Sequence, residues 1–188
     1  MKKVMFLPLL LGMVVVNAQI QLGVKAGVNI SNFTGGDFNN IDKSPLTSFH
    51  AGGILRWKFD HLILQGEVLF SEQGAKLKDS TSEQDYKVSY INIPILLQYA
   101  FKGGFYVEAG PQVGFKVKEN VPDNPNIDKF AKSEDFSIAL GLGFLKDKGF
   151  GIGGRYTVGV SNVGESNSTN YDANFKNGVI QFSIIYVF

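Results

Sequence analysis

Residues alternate between apolar and polar along most of the chain after residue 20, and no stretch repeats convincingly at a helical period. From Phe105 onward, Phe105, Val107, Ala109, Pro111, Val113, Phe115 and Val117 fall on one face. Tyr106, Glu108, Gly110, Gln112, Gly114, Lys116 and Lys118 fall on the other. Phe150, Ile152, Gly154, Tyr156, Val158 and Val160 oppose Gly151, Gly153, Arg155, Thr157 and Gly159 in the same way. The period predicts eight strands, over 21–32, 48–59, 62–75, 88–101, 105–118, 134–145, 150–163 and 176–188. Each is long for a globular strand and suits a tilted strand crossing a bilayer.

The connections alternate in length. Asp60-His61, Lys102-Gly103-Gly104 and Lys146-Asp147-Lys148-Gly149 are tight hairpin turns. Between them lie long polar links over 33–47, 76–87, 119–133 and 164–175. Short periplasmic turns and long external loops are the layout of outer-membrane barrels. The predicted fold class is therefore all-β: an eight-stranded antiparallel up-and-down transmembrane β-barrel. A soluble lipocalin-like binder would turn the apolar faces inward instead. Volume decides against it, because the bore of an eight-stranded barrel barely holds side chains or one small ligand. Eight faces of Phe, Leu, Ile and Val would overfill that bore, whereas the glycine-rich polar faces fit.

Aromatic residues at strand ends agree with this. Trp57, Phe59, Tyr99, Phe101, Phe105, Phe144, Phe150, Tyr186 and Phe188 gather near the short turns as an expected membrane girdle. Phe49, Phe70, Phe115 and Phe136 gather near the long loops. With apolar faces outward, Lys25, Arg56, Lys58, Glu67, Glu108, Lys116 and Arg155 point inward. Buried charges are costly unless paired. The expectation is an interior network joining Glu67 and Glu108 to Arg56, Arg155 and Lys25, as a structural plug rather than an ion path. Glycines at 23, 27, 52, 110, 114, 141, 143, 151, 153 and 159 make room for these long side chains.

Composition narrows the setting. Residues 1–18 predict a signal peptide: Lys2 and Lys3, an apolar run from Val4 to Val16, then Val16-Asn17-Ala18 before Gln19. The run is shorter than the roughly 20 residues of a membrane anchor. The barrel domain is then 19–188, with 18 − 2 = 16 basic and 17 acidic residues. Such a balance argues against nucleic acid. There is no cysteine for disulfides or thiolate metal sites. No G-x-G-x-x-G or Walker pattern occurs, and no cofactor is expected.

Val88-Ser89-Tyr90-Ile91-Asn92-Ile93-Pro94-Ile95-Leu96-Leu97-Gln98 resembles the fourth-strand motif of the PorT-like, porin-family outer-membrane β-barrel proteins. So does Phe105-Tyr106-Val107-Glu108-Ala109-Gly110-Pro111. Gly23-Val24-Lys25-Ala26-Gly27-Val28-Asn29 and the ending Phe182-Ser183-Ile184-Ile185-Tyr186-Val187-Phe188 also match. The terminal aromatic is similar to the signal read by the barrel-assembly machinery. The resemblance covers nearly all of the mature chain. It implies a bacterial outer-membrane location and a porin-like description. One branch of the family assists protein secretion, and none of these motifs places the chain in that branch. Pro94 and Pro111 cannot donate to a ladder, which predicts local bulges at both.

The expected role is structural or interactive, as a monomer in the lipid bilayer with a possible protein partner at the external loops. The alternative is a narrow channel for ions or small solutes. Enzymatic chemistry comes third. His50, expected near the outer rim beside Ser48, Ser71 or Ser89, is the one candidate base for a lipid or peptide hydrolase. His61 falls at the opposite strand end, so no shared metal is expected. Asp123-Asn124-Pro125-Asn126-Ile127-Asp128 carries oxygen ligands but lacks EF-hand spacing, and is read as a turn.

Overall fold

The computed structural model describes residues 19–35, 42–78, 83–120, 132–162 and 175–188. The expected signal peptide, residues 36–41 and 79–82 of the first two long links, most of the links over 119–133 and 164–175, and with them the Asp123–Asp128 segment, lie outside the described residues. Eight strands follow one another: β1 (Gln19–Gly35), β2 (Asp42–Phe59), β3 (Leu62–Lys78), β4 (Glu83–Ala100), β5 (Phe105–Asn120), β6 (Glu134–Leu145), β7 (Gly149–Gly159) and β8 (Phe175–Val187). Each pairs antiparallel with the next, and β8 pairs with β1 from Gly23↔Val187 to Gly35↔Phe175, closing the barrel. Closure satisfies every strand edge, which a sheet in lipid requires.

Alternation sets the faces as expected. Leu22, Val24 and Val28 on β1, Ile138, Leu140 and Leu142 on β6, and Ile180, Phe182 and Ile184 on β8 are exposed outward. Lys25, Glu67, Glu108 and Arg155 are buried inside. A surface of that apolar extent faces lipid rather than water, and a lipocalin-like arrangement requires the reverse.

The first five strands extend further toward the long loops than their sequence suggested, to 16–18 residues. At about 3.3 Å per residue and a tilt near 40°, such strands rise about 40 Å, beyond an apolar band of about 25 Å. The extensions are polar, so composition marked them as loop, but backbone pairing continued regardless. In contrast, β7 ends at Gly159 rather than residue 163.

The expected bulges at Pro94 and Pro111 do not form. Gly66↔Ile95 and Leu69↔Asn92 keep one register across Pro94, as do Pro94↔Gln112 and Leu97↔Ala109. Pro111 pairs with Ile138 inside a regular β5–β6 ladder. The prolines leave gaps in pairing without shifting it. Gly110 explains how: a Cβ there would lie 2.0 Å from the Ile95 carbonyl oxygen, so the bare backbone lets β4 and β5 stay close. The register shifts fall between Pro45 and His50 and between Ser89 and Tyr90 instead. The first lies opposite Gly74, whose φ of 146° suits only glycine.

Candidate functional site

Inward side chains form layers along the bore. Nearest the short turns, Ile54, Tyr106, Leu145, Ile185 and Val187 make a buried apolar cluster. Alternation already turns Tyr106 inward; that it meets Ile54, Leu145, Ile185 and Val187 at one level depends on the register between strands. Tyr106 fits because its neighbours lack side chains: a Cβ on Gly143 or Gly153 would sit 2.5 or 2.7 Å from its hydroxyl oxygen.

The charged layer comes next. Arg155 on β7 donates from Nη1 and Nη2 to both carboxylate oxygens of Glu67 on β3, at 2.8 and 2.7 Å. Its Nε donates to Glu108 Oε1 on β5 at 2.7 Å. Lys25 on β1 reaches Glu67 Oε1 at 3.5 Å. Gln65 and Gln98 donate to Glu67 and Glu108 at 2.6 and 2.8 Å. Four alternate strands around the circumference thus converge on one point, tying opposite walls together. Two cations and two carboxylates balance, with forked geometry that offsets part of the desolvation cost.

Arg56 departs from expectation. It touches neither carboxylate; it donates to Gln21 Oε1 at 3.0 Å and Gln98 Oε1 at 3.3 Å. Arg56 sits nearer the short turns than the brace, and the amide of Gln98 bridges it to Glu108. Lys58 and Lys116, also expected inward, lie half-buried at opposite ends of the bore. Lys58 pairs with Asp147 in the β6–β7 turn, and Lys116 with Glu119 at 2.6 Å.

His50 is not at the rim. It is buried inside the wall, with Nδ1 at 2.7 Å from Asn29 Oδ1 and Nε2 at 2.9 Å from Ser183 Oγ. An amide oxygen only accepts, so Nδ1 carries the proton and Nε2 accepts from the Ser183 hydroxyl. Asn29 Nδ2 donates to Ser71 Oγ at 3.0 Å and to the Phe49 and Glu72 carbonyl oxygens. Ser48 bonds the Glu72 carbonyl rather than His50. A serine–histidine–asparagine relay has the connectivity of a nucleophile and base. Yet His50, Asn29 and Ser183 are all buried, leaving no approach for a substrate carbonyl. We expect His50→Ala to destabilise the barrel by about 1–3 kcal/mol in urea unfolding, because Asn29 and Ser183 lose their shared partner.

Asn29, Ser183, Gln21, Gln65 and Gln98 carry these contacts and were not singled out from sequence. The missing signal is register: Gln21 lies across from Arg56, Gln98 from Glu108, and Gly27 from both His50 and Ser183.

The aromatic residues of the expected girdle lie on the outer face toward the short turns. Tyr99, Phe101 and Phe105 contact in series at centroid distances of 5.0 and 5.5 Å; Phe150, Tyr186 and Phe188 do so at 4.8 and 5.4 Å. Trp57, Phe59 and Phe144 share this face and level. Among the described residues, no group of three or more His, Cys, Asp or Glu is arranged to hold a metal ion.

Comparison with known proteins agrees with this geometry. Residues 17–165 match the family described as outer membrane protein beta-barrel domain. Among solved structures, the fold is similar to Neisserial surface protein A, at 14% identity and a TM-score of 0.56, covering 89% of this chain and 97% of that one. It is also similar to the outer membrane protein OprG from Pseudomonas aeruginosa, at 13% identity and a TM-score of 0.50, covering 90% and 97%. No curated protein matches the sequence.

Proposed function

Because this chain belongs to the outer membrane protein β-barrel domain family, and so to the bacterial outer membrane, we propose that it serves there as a closed barrel with a structural or interaction role. The observation that carries this reading is the brace across the bore. Glu67, Glu108, Arg155 and Lys25 meet from four strands in the interior of a barrel with little free space to begin with. The apolar layer around Tyr106 lies between the brace and the short turns. Solute would have to displace both.

Contacts with other proteins then fall to the external loops, whose residues lie mostly outside those described. In this reading residues 1–18 direct export and are cleaved once it has begun, and β8 with Phe188 is the segment presented to the barrel-assembly machinery. The barrel works as a monomer in this reading. No chemical step is assigned to His50, because its hydrogen bonds are spent inside the wall. The likeness to the PorT-like family rests on the strand-four and strand-five motifs.

Two measurements test the proposal. Unboiled mature protein in detergent is expected to run faster on a gel than boiled protein, as a closed barrel does. The same protein in planar bilayers is expected to give no stepwise conductance. Discrete openings altered by Glu67→Gln would replace this reading with the narrow porin-like channel.

A further inference from the structure

We propose that the mouth of the barrel at the short turns is a binding site for a phosphate-type oxyanion, held by Arg56 and Lys146. The brace of Lys25, Glu67, Glu108 and Arg155 is balanced without Arg56. Arg56 is only 2% exposed, and its bonds go to two neutral glutamine oxygens. Its Nε has no protein partner. Among the described residues no carboxylate lies within ion-pair distance of it. A buried cation solvated by amides alone is costly, and an anion beside it removes much of that cost.

Space for that anion exists at the right place. A cavity of about 400 Å³ opens between the three short turns, with Arg56, Lys58, His61, Lys146, Asp60 and Asp147 on its wall. Neither acid forms a direct ion pair with Arg56, although Asp147 lies within Coulomb range of it. Asp147 is engaged by Lys58, and Asp60 is largely solvent-exposed beside His61. Arg56, Lys58 and Lys146 together exceed the two carboxylates on the cavity wall by one positive charge. A guanidinium matches a tetrahedral oxyanion better than a spherical halide. The anion is either free phosphate or the phosphate of a phospholipid headgroup, because the short turns lie at the membrane interface.

The test uses the full mature barrel folded in a phosphate-free glycoside detergent and titrated calorimetrically with inorganic phosphate in chloride buffer. One saturable site is expected. Arg56→Gln should weaken it by about tenfold or more, the loss of one charge-assisted contact. Lys146→Gln changes an exposed turn residue and should weaken it several-fold with the heat-dependent gel shift intact. It carries the test even if Arg56→Gln fails to fold. Absence of saturable binding, or wild-type affinity in the folded variants, overturns the site. Repeating the titration in phospholipid nanodiscs separates the sources. Lost binding identifies headgroup phosphate as the occupant, and retained binding identifies free phosphate.

Discussion

Arg155→Met is expected to cost the barrel about 3–5 kcal/mol, the range for breaking a buried ion pair by removing one partner. The substitution keeps volume but strips three hydrogen bonds from two carboxylates. Glu67 would retain only Lys25 at 3.5 Å and Gln65, and Glu108 would retain Gln98. The loss should appear as a lower urea midpoint for unfolding from phospholipid vesicles with little change in slope, since the surface exposed on unfolding is the same. Arg155→Lys keeps the charge but not the fork, and should fall between the two. A midpoint unchanged in Arg155→Met would mean the brace contributes nothing net, and the plugged-barrel reading would lose its main support.

The second large effect lies on the opposite face. Leu140 is half-exposed at the middle of β6, on its outer side. Leu140→Arg places a charge near the bilayer midplane, and is expected to cost about 2–4 kcal/mol in vesicle-based unfolding. The same change at Phe150, beside the short turns, should cost about 0–1 kcal/mol, because depth decides the penalty. Equal costs at the two positions would place the membrane wrongly on the barrel. The pair therefore checks orientation and depth independently of any functional assay.

The two predictions differ in how far the sequence alone supports them. That Leu140 faces lipid follows from alternation, since a period of two admits two faces and the bore has room for only one of them. Arg155 inward follows from the same rule. The expected network already joins Arg155 to Glu67 and Glu108, but the forked contact with Glu67 depends on closure, because β3 and β7 are far apart around the circumference. Arg56 shows the other side of this. Charge pairing suggested a carboxylate partner, but its position along the bore places it a layer away, beside glutamines.

Local rules for proline and histidine are both overridden by tertiary structure. Pro94 and Pro111 lack donors, which argues for bulges in an isolated pair of strands. Gly110 lets the backbones stay close, so the ladder loses pairs and keeps its register. Composition puts His50 at a rim, because it marks a strand's end where polar residues begin. Pairing of β1 to β3 runs on into those polar stretches, which leaves His50 enclosed.

Strand count, the outward face, the level of the aromatic residues and the inward direction of the charges were all legible in the chain before folding. Each depends only on spacing along one strand and on the solvent at each face. Which inward residues meet, how far the strands extend, and that Arg56 is left without a carboxylate emerge only in the folded barrel. Those depend on the stagger between strands and on barrel closure, which juxtapose residues as distant as Gln21 and Asp147 or His50 and Ser183. No local period encodes that stagger, because it is set by the sum of eight pairings around a ring.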